Sequence, residues 1–286
     1  GQSTGSAGVS RWAESWRSLE PTQGVYNFAE VKSDLVLAKT LGKQLIMIIE
    51  DKTFVLEKPG PDYLDKLPGG PYNARNRANG YTVVRWAPAV VTRFNALTKA
   101  LGTAFDSNLN FEGIATQETA LGFESPTLQK YGYTPEKYRD ALINTLGTAS
   151  ANMPKSRVFW LMNFLVGNQS YIGNIASALA PKGVVMGGPD VWPENKSLLS
   201  KVYPYYTQFA GKMPLFGQVE NVCYSIPHSS GGGYWTMNEL FNYAKKNLHV
   251  NYMFWVRVTK ASSAKTYDWT DAWPVIKANP TWTPAP

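Results

Sequence analysis

Apolar residues along this 286-residue chain follow two rhythms. Short runs with little polar interruption have the length and character of strands buried on both faces: Gln44–Ile49 (Gln-Leu-Ile-Met-Ile-Ile), Arg157–Asn163 (Arg-Val-Phe-Trp-Leu-Met-Asn) and Pro214–Glu220 (Pro-Leu-Phe-Gly-Gln-Val-Glu). Val9–Trp16, Phe111–Glu118, Gly183–Met186 and Val250–Val256 complete a set of seven predicted strands. Between them apolar positions recur every three or four residues, which predicts helices. Val31, Leu35, Ala38 and Leu41 mark one over about 29–41, and Val91, Phe94, Leu97 and Leu101 mark another over about 88–104. Thr134-Pro135 opens a third, with an N-cap threonine and a proline in its first turn, and Thr236-Met237-Asn238-Glu239 is a capping box for a helix to about Asn247. Shorter helical patterns cover Ile172–Leu179, Lys196–Phe209 and Asp271–Ala278.

The strands share a second property: each turns polar at its C-terminal end. Gln44–Ile49 runs into Glu50-Asp51-Lys52, and Phe111–Glu118 finishes on Gln117-Glu118. The later strands lead to Asn163, to Asp190 and to Glu220. Alternating strands and helices with polar residues at one end of every strand predict an α/β fold, a TIM-type (β/α)8 barrel in a single catalytic domain over residues 1–286. A doubly wound open sheet is the competing layout, and the glycine-rich phosphate loop that usually marks it is not visible. Residues 53–85 hold most of the turn chemistry, including Pro59-Gly60-Pro61 and Pro68-Gly69-Gly70-Pro71, and read as a long loop covering the site.

Composition narrows the function. Ten Trp and sixteen Tyr exceed what a core of this size needs, and flat rings with a polar handle suit sites for sugars or bases. The formal charge of +7 favours an anionic partner, yet Lys and Arg are scattered and no nucleic-acid motif is present, so no nucleic-acid partner is expected. One cysteine and two histidines exclude a disulfide framework and leave too few ligands for a zinc site; no metal and no cofactor are expected. No apolar run reaches the roughly 18 residues of a membrane span, so no membrane partner is expected either. Asn168-Gln169-Ser170 and Asn195-Lys196-Ser197 match the glycosylation sequon, a short pattern that coincidence also produces.

Three pieces of the chain resemble the large clan of retaining (β/α)8 glycoside hydrolases that includes β-galactosidases, cellulases and xylanases. Trp16-Arg17-Ser18-Leu19-Glu20-Pro21, followed by Gly24, Tyr26 and Phe28, is similar to a W-x-x-L-E-P-x-x-G-x-Y-x-F stretch after an early strand. Thr116-Gln117-Glu118 resembles the end of strand four, where the clan carries Asn-Glu and the Glu is the acid/base. Glu220 resembles the strand-seven nucleophile, and Trp255 the strand-eight aromatic that floors the sugar subsite. The chain departs from the clan in having Gln117 where the Asn belongs, and in placing the two glutamates on its third and sixth predicted strands. The first βα unit is therefore expected to be missing or irregular, with Val9–Trp16 corresponding to strand two.

The resemblance implies a retaining, endo-acting polysaccharide hydrolase, with Glu118 as acid/base and Glu220 as nucleophile. A carbohydrate-binding barrel without catalysis is the alternative. Trp12, Trp192 and Trp255 are candidates to stack on sugar faces; Gln117, Asn163, Asp190 and Glu50 are candidates to bind hydroxyls; Tyr224 and His228 are candidates to orient the nucleophile. Asn163 and Asp190 suit helix capping or loop bracing equally, and Glu14, Glu50 and Asp51 suit ion pairs with Arg11 or Lys52 equally. Cys223 reads as an inert small hydrophobe. The charge points to an acidic exopolysaccharide or capsule as substrate, outside the cell or at its envelope, with a monomer expected.

Overall fold

The computed structural model describes residues 9–188, 190–259 and 265–279, with side chains from residue 13 onward. It divides into two compact units. Among the described residues, one comprises 9–160 and 164–184, the other 161–163, 185–188, 190–259 and 265–279.

The first unit runs β1 (Val9–Ser15), α1 (Trp16–Leu19), α2 (Ala29–Thr40), β2 (Gln44–Glu50), β3 (Asn73–Arg75), β4 (Tyr81–Val83), α3 (Pro88–Phe105), β5 (Phe111–Thr116), α4 (Ser125–Lys130), α5 (Pro135–Asn152), β6 (Arg157–Leu161) and α6 (Tyr171–Leu179). Here the parallel order is β1-β2-β5-β6. Leu45 to Ile49 are all buried, as a strand covered on both faces requires. The register between β2 and β5 shifts by one residue at Glu112: Leu45 lies opposite Phe111 but Ile46 opposite Gly113. Gly113 has φ of 154°, and a Cβ there would meet the Arg157 carbonyl oxygen at 1.8 Å. Only glycine fits this bulge.

The motif at Trp16–Glu20 closes around a buried charge. Glu20, with no exposed surface, accepts hydrogen bonds from Trp16 Nε1 (3.0 Å), Tyr63 Oη (2.7 Å) and the Gly24 amide (2.9 Å), and pairs with Arg93.

Residues 53–85 are more ordered than their turn chemistry predicts. A 3₁₀ turn at Asp62–Lys66 precedes the antiparallel hairpin β3–β4, which docks on the chain leaving β2 through Thr53 N–H to Tyr81 O (2.8 Å) and Val83 N–H to Asp51 O (2.9 Å). Asn76, buried, binds the turn from within: its amide donates to Thr53 O (2.9 Å) and its oxygen accepts from the Ala78 and Gly80 amides. Phe54, Val55 and Leu56, at 61%, 61% and 71% exposure, form an apolar tip beside this junction.

The second unit runs β7 (Val185–Gly188), α7 (Lys196–Lys201), α8 (Tyr203–Phe209), β8 (Leu215–Val219), α9 (Met237–Asn247), β9 (Tyr252–Trp255) and α10 (Trp269–Ala278), with β7, β8 and β9 parallel and adjacent in that order. The pattern over 196–209 predicts one helix and the structure has two, because Pro204 lacks the N–H that would continue the ladder. The capping box at Thr236 and Glu239 forms as expected, and a second one, Asp268 with Asp271, starts α10. Both sequon asparagines act locally: Asn168 Oδ1 accepts from the Ser170 amide, and Asn195 caps α7. Among the described residues no helix is long and apolar enough to cross a membrane.

Candidate active site

The predicted site residues fall into two groups, one in each unit. In the first unit, Gln117 and Glu118 directly follow β5, whose last residue is Thr116, and both are half-buried. Lys52, two residues beyond β2, donates from Nζ to Glu118 Oε1 at 2.6 Å and to the Ala120 carbonyl at 2.7 Å, and its ammonium lies 4.9 Å from the centroid of the Phe54 ring. The Lys52 and Glu118 side chains are only 5% and 18% exposed, so this is a shielded pair and not a solvated one. Burial pushes the Lys52 pKa down and the nearby Arg85 cation adds to that, against the opposing pull of Glu118 and Asp51.

Behind this pair, Arg85 grips Asp51 with two hydrogen bonds (Nε to Oδ2, 2.7 Å; Nη2 to Oδ1, 2.6 Å), and its Nη1 donates to the Glu118 carbonyl (2.6 Å). Nη1 also lies 3.1 Å from the Tyr138 hydroxyl, which donates to Thr119 O at 3.1 Å. Burial works against the Arg85 cation, but Asp51 and Tyr138 outweigh it and hold it protonated. The backbone at Glu118–Thr119 is thus tied from both sides. Glu50 is half-buried, and burial followed by repulsion from Asp51 and Glu57 raises its pKa. Gln117 and Thr116 line an open crevice of about 490 Å³ together with Trp16, Arg85, Phe94 and Leu142. Trp12 stands in β1 opposite Met47; its side chain lies outside the described residues, as does that of Arg11.

Among the described side chains, the residues at these strand ends take the following partners. Asp51 takes Arg85, Lys52 takes Glu118, and Glu14 accepts from the Ser18 hydroxyl at 3.1 Å. Lys52 was readable as a basic residue at a strand end; Arg85 and Tyr138 carried no local signal.

In the second unit Glu220 directly follows β8, and its carbonyl accepts the Cys223 amide at 2.9 Å. Trp255, half-buried, pairs in register with Val219, the residue before Glu220. Tyr224 is fully buried with its hydroxyl on Val256 O (2.7 Å), and Cys223 is fully buried beside it. Burial raises the Cys223 thiol well above its usual range, and the charges of Asp190 and Glu220 add to the effect. Asp190 adopts a left-handed φ of 60°, with its carbonyl accepting from Tyr203 Oη at 2.8 Å, while Trp192 N–H donates to the same tyrosine oxygen at 2.8 Å. Asn163, buried, lies two residues past β6. His228 packs against Trp235 with ring centroids 4.6 Å apart and planes tilted by 31°. Glu194 latches this loop, accepting from the Ser229 amide (2.8 Å), Ser229 Oγ (2.7 Å) and Trp235 Nε1 (3.2 Å). Among the described residues no group of three or more His, Cys, Asp or Glu is arranged to hold a metal ion.

No protein-family model and no curated protein sequence matches the chain. Solved structures do. The β-amylase catalytic domain from Paenibacillus polymyxa superposes with a TM-score of 0.62 at 10% identity, covering 96% of this chain and 92% of that one. A β-galactosidase from the psychrophilic Marinomonas ef1 gives 0.60 at 8% identity, and endo-glycoceramidase II from Rhodococcus sp. gives 0.52 at 10% identity. These cover 95% and 92% of this chain, but the chain spans only 55% and 66% of theirs. The likeness establishes the fold: an α/β, TIM-type barrel, here with seven parallel strands among the described residues where a full barrel has eight.

Proposed function

We propose that this protein is a glycoside hydrolase that cleaves O-glycosidic bonds of a polysaccharide by retaining double displacement, with Glu118 as acid/base and Glu220 as nucleophile. One observation carries the reading: each glutamate stands directly beyond the C-terminal end of a parallel strand, where (β/α) barrels keep their catalytic residues. In this reaction a protonated carboxyl gives its proton to the leaving oxygen while the other carboxylate attacks C1, and water then releases the glycosyl-enzyme with the first group acting as base. The reading takes residues 1–286 as one catalytic domain and a monomer. Trp12, Trp192 and Trp255 supply stacking faces, while Gln117, Glu50, Asn163 and Asp190 hold hydroxyls. Tyr224, buried and four residues past Glu220, orients it. Endo action and an acidic glycan outside the cell or at its envelope complete the proposal, the latter supported by the +7 charge.

Glu118→Gln and Glu220→Gln are expected to lower kcat on the cleaved glycan by at least about 10²-fold while leaving the unfolding midpoint in place, as removal of general acid or nucleophilic catalysis does. NMR of the first product is expected to show the anomeric configuration of the substrate. Full turnover by both variants removes the assignment; an inverted product removes the double displacement.

The Lys52–Glu118 pair favours a second reading, a carbohydrate-binding barrel, because an ammonium at 2.6 Å presents Glu118 as an anion and not as a proton donor. Glycan binding without release of reducing ends, across neutral and uronic-acid-containing polysaccharides, selects it.

A further inference from the structure

An acid catalyst must be neutral when the glycosidic bond breaks, yet Glu118 rests against a cation. On the glycosidase reading, we propose that Lys52 and Glu118 carry one proton between them, the Lys52 ammonium supplying Glu118 with the proton that Glu118 delivers to the leaving oxygen.

The surroundings single out Lys52 for this role. Its charged and titratable neighbours are Glu118, Asp51 and Arg85, with Tyr138 behind Arg85. Arg85 cannot give up a proton, since Asp51 takes the Nε–Nη2 edge of its guanidinium and the remaining nitrogen, Nη1, holds the Glu118 carbonyl. Lys52 can: it is a buried ammonium whose neutral form is favoured by desolvation. The transfer path is a single hydrogen bond of 2.6 Å, and the Ala120 carbonyl at 2.7 Å keeps the nitrogen in place whether charged or neutral. Arg85 and Tyr138 fix the backbone of 118–119, so the proton moves without the chain moving.

The steps balance. A Lys52 N–H bond breaks with its electron pair left on nitrogen, and the proton goes to Glu118 Oε1. That proton then passes to the glycosidic oxygen as the C1–O bond breaks, its electron pair staying with the oxygen, while a Glu220 carboxylate pair forms the new bond to C1. In the second half Glu118 takes a proton from the water that attacks C1 and returns it to the Lys52 amine, while the C1–Glu220 bond breaks with its electron pair going back to the carboxylate. The enzyme ends as it began, and no further reactant is needed.

The test compares Lys52→Arg and Lys52→Met on two substrates: the polysaccharide that the wild type cleaves, and a 2,4-dinitrophenyl glycoside of the matching oligosaccharide, whose leaving group needs no proton. Arginine keeps the charge but does not release its proton. Lys52→Arg is therefore expected to lose about 10²-fold or more in kcat/KM on the polysaccharide, the scale of general acid catalysis, and to lose far less in kcat/KM on the aryl glycoside, which reports only the bond-breaking step. In Lys52→Met the proton has only the carboxyl to sit on, so the basic limb of the pH–rate profile is expected to move to lower pH. Lys52→Arg with wild-type kcat/KM on the polysaccharide would mean a fixed counter-charge and overturn the proposal, as would an equal loss in kcat/KM on both substrates or an unmoved basic limb in Lys52→Met. A wild type that cleaves no glycan, or a fully active Glu118→Gln, overturns the glycosidase reading itself; a silent Glu118→Gln beside a fully active Lys52→Arg overturns the shared proton alone.

Discussion

Glu20 and Arg17 lie three residues apart, and both are ion-paired, but the magnitudes separate them. Arg17 and Asp62 have side chains 33% and 63% exposed, where water and salt leave a pair about 0–1 kcal/mol. Glu20 is fully buried, so removing its cation strands a charge; Arg93→Met is expected to cost about 3–5 kcal/mol and Arg17→Met under about 1 kcal/mol, read from urea midpoints. Equal shifts would refute the distinction. The Trp16–Phe28 stretch was legible as a family likeness, but the bracing role of its glutamate was not. Its partners Tyr63 and Arg93 lie 43 and 73 residues away, and no local pattern announces them. The same holds past the strand ends, where the positions of Glu118 and Glu220 beyond β5 and β8 were legible, while the Lys52 that pairs with Glu118 lies 66 residues from it.

At the scale of elements, β5 is the least tolerant strand, because its bulge brings Gly113 against the Arg157 carbonyl. Gly113→Ala is expected to destabilise by more than about 3 kcal/mol or to prevent folding, measured by expression of soluble protein and by thermal melts. By contrast Thr236→Ala removes one cap from α9 and is expected to cost about 1 kcal/mol. The Ser229–Gly233 loop gives a pH prediction with a definite sign. Hydrogen bonds from Ser229 and Trp235 hold the Glu194 carboxyl below the ordinary glutamate range, so its latch is intact above that range and is lost as pH falls through the depressed value. Trp235 fluorescence is expected to change on acidification in wild type and not in Glu194→Gln. The strands and long helices were legible because burial on both faces and helical periodicity leave strong patterns. The β3–β4 hairpin was not, since three-residue strands built on Asn73 and Asn76 are held by side-chain-to-backbone bonds and carry no periodicity.

For the molecule as a whole, the order of alternating strands and helices was enough to anticipate a (β/α) barrel with seven predicted strands, and seven parallel strands form among the described residues. Net charge speaks to a different property, the long-range pull on a polyanion. With +7 overall, KM for an acidic glycan is expected to rise with ionic strength while that for a neutral one stays level; salt-independence on both removes charge as a guide to substrate. The exposed tip at Phe54 links surface to site. Its ring lies 4.9 Å from the Lys52 ammonium, so anything that settles on that ring also strips water from the ion pair beneath it. In a lower local dielectric separated charges lose solvation, so on the proposed glycosidase reading occupancy of that ring is itself the event that drives the proton from Lys52 to its partner.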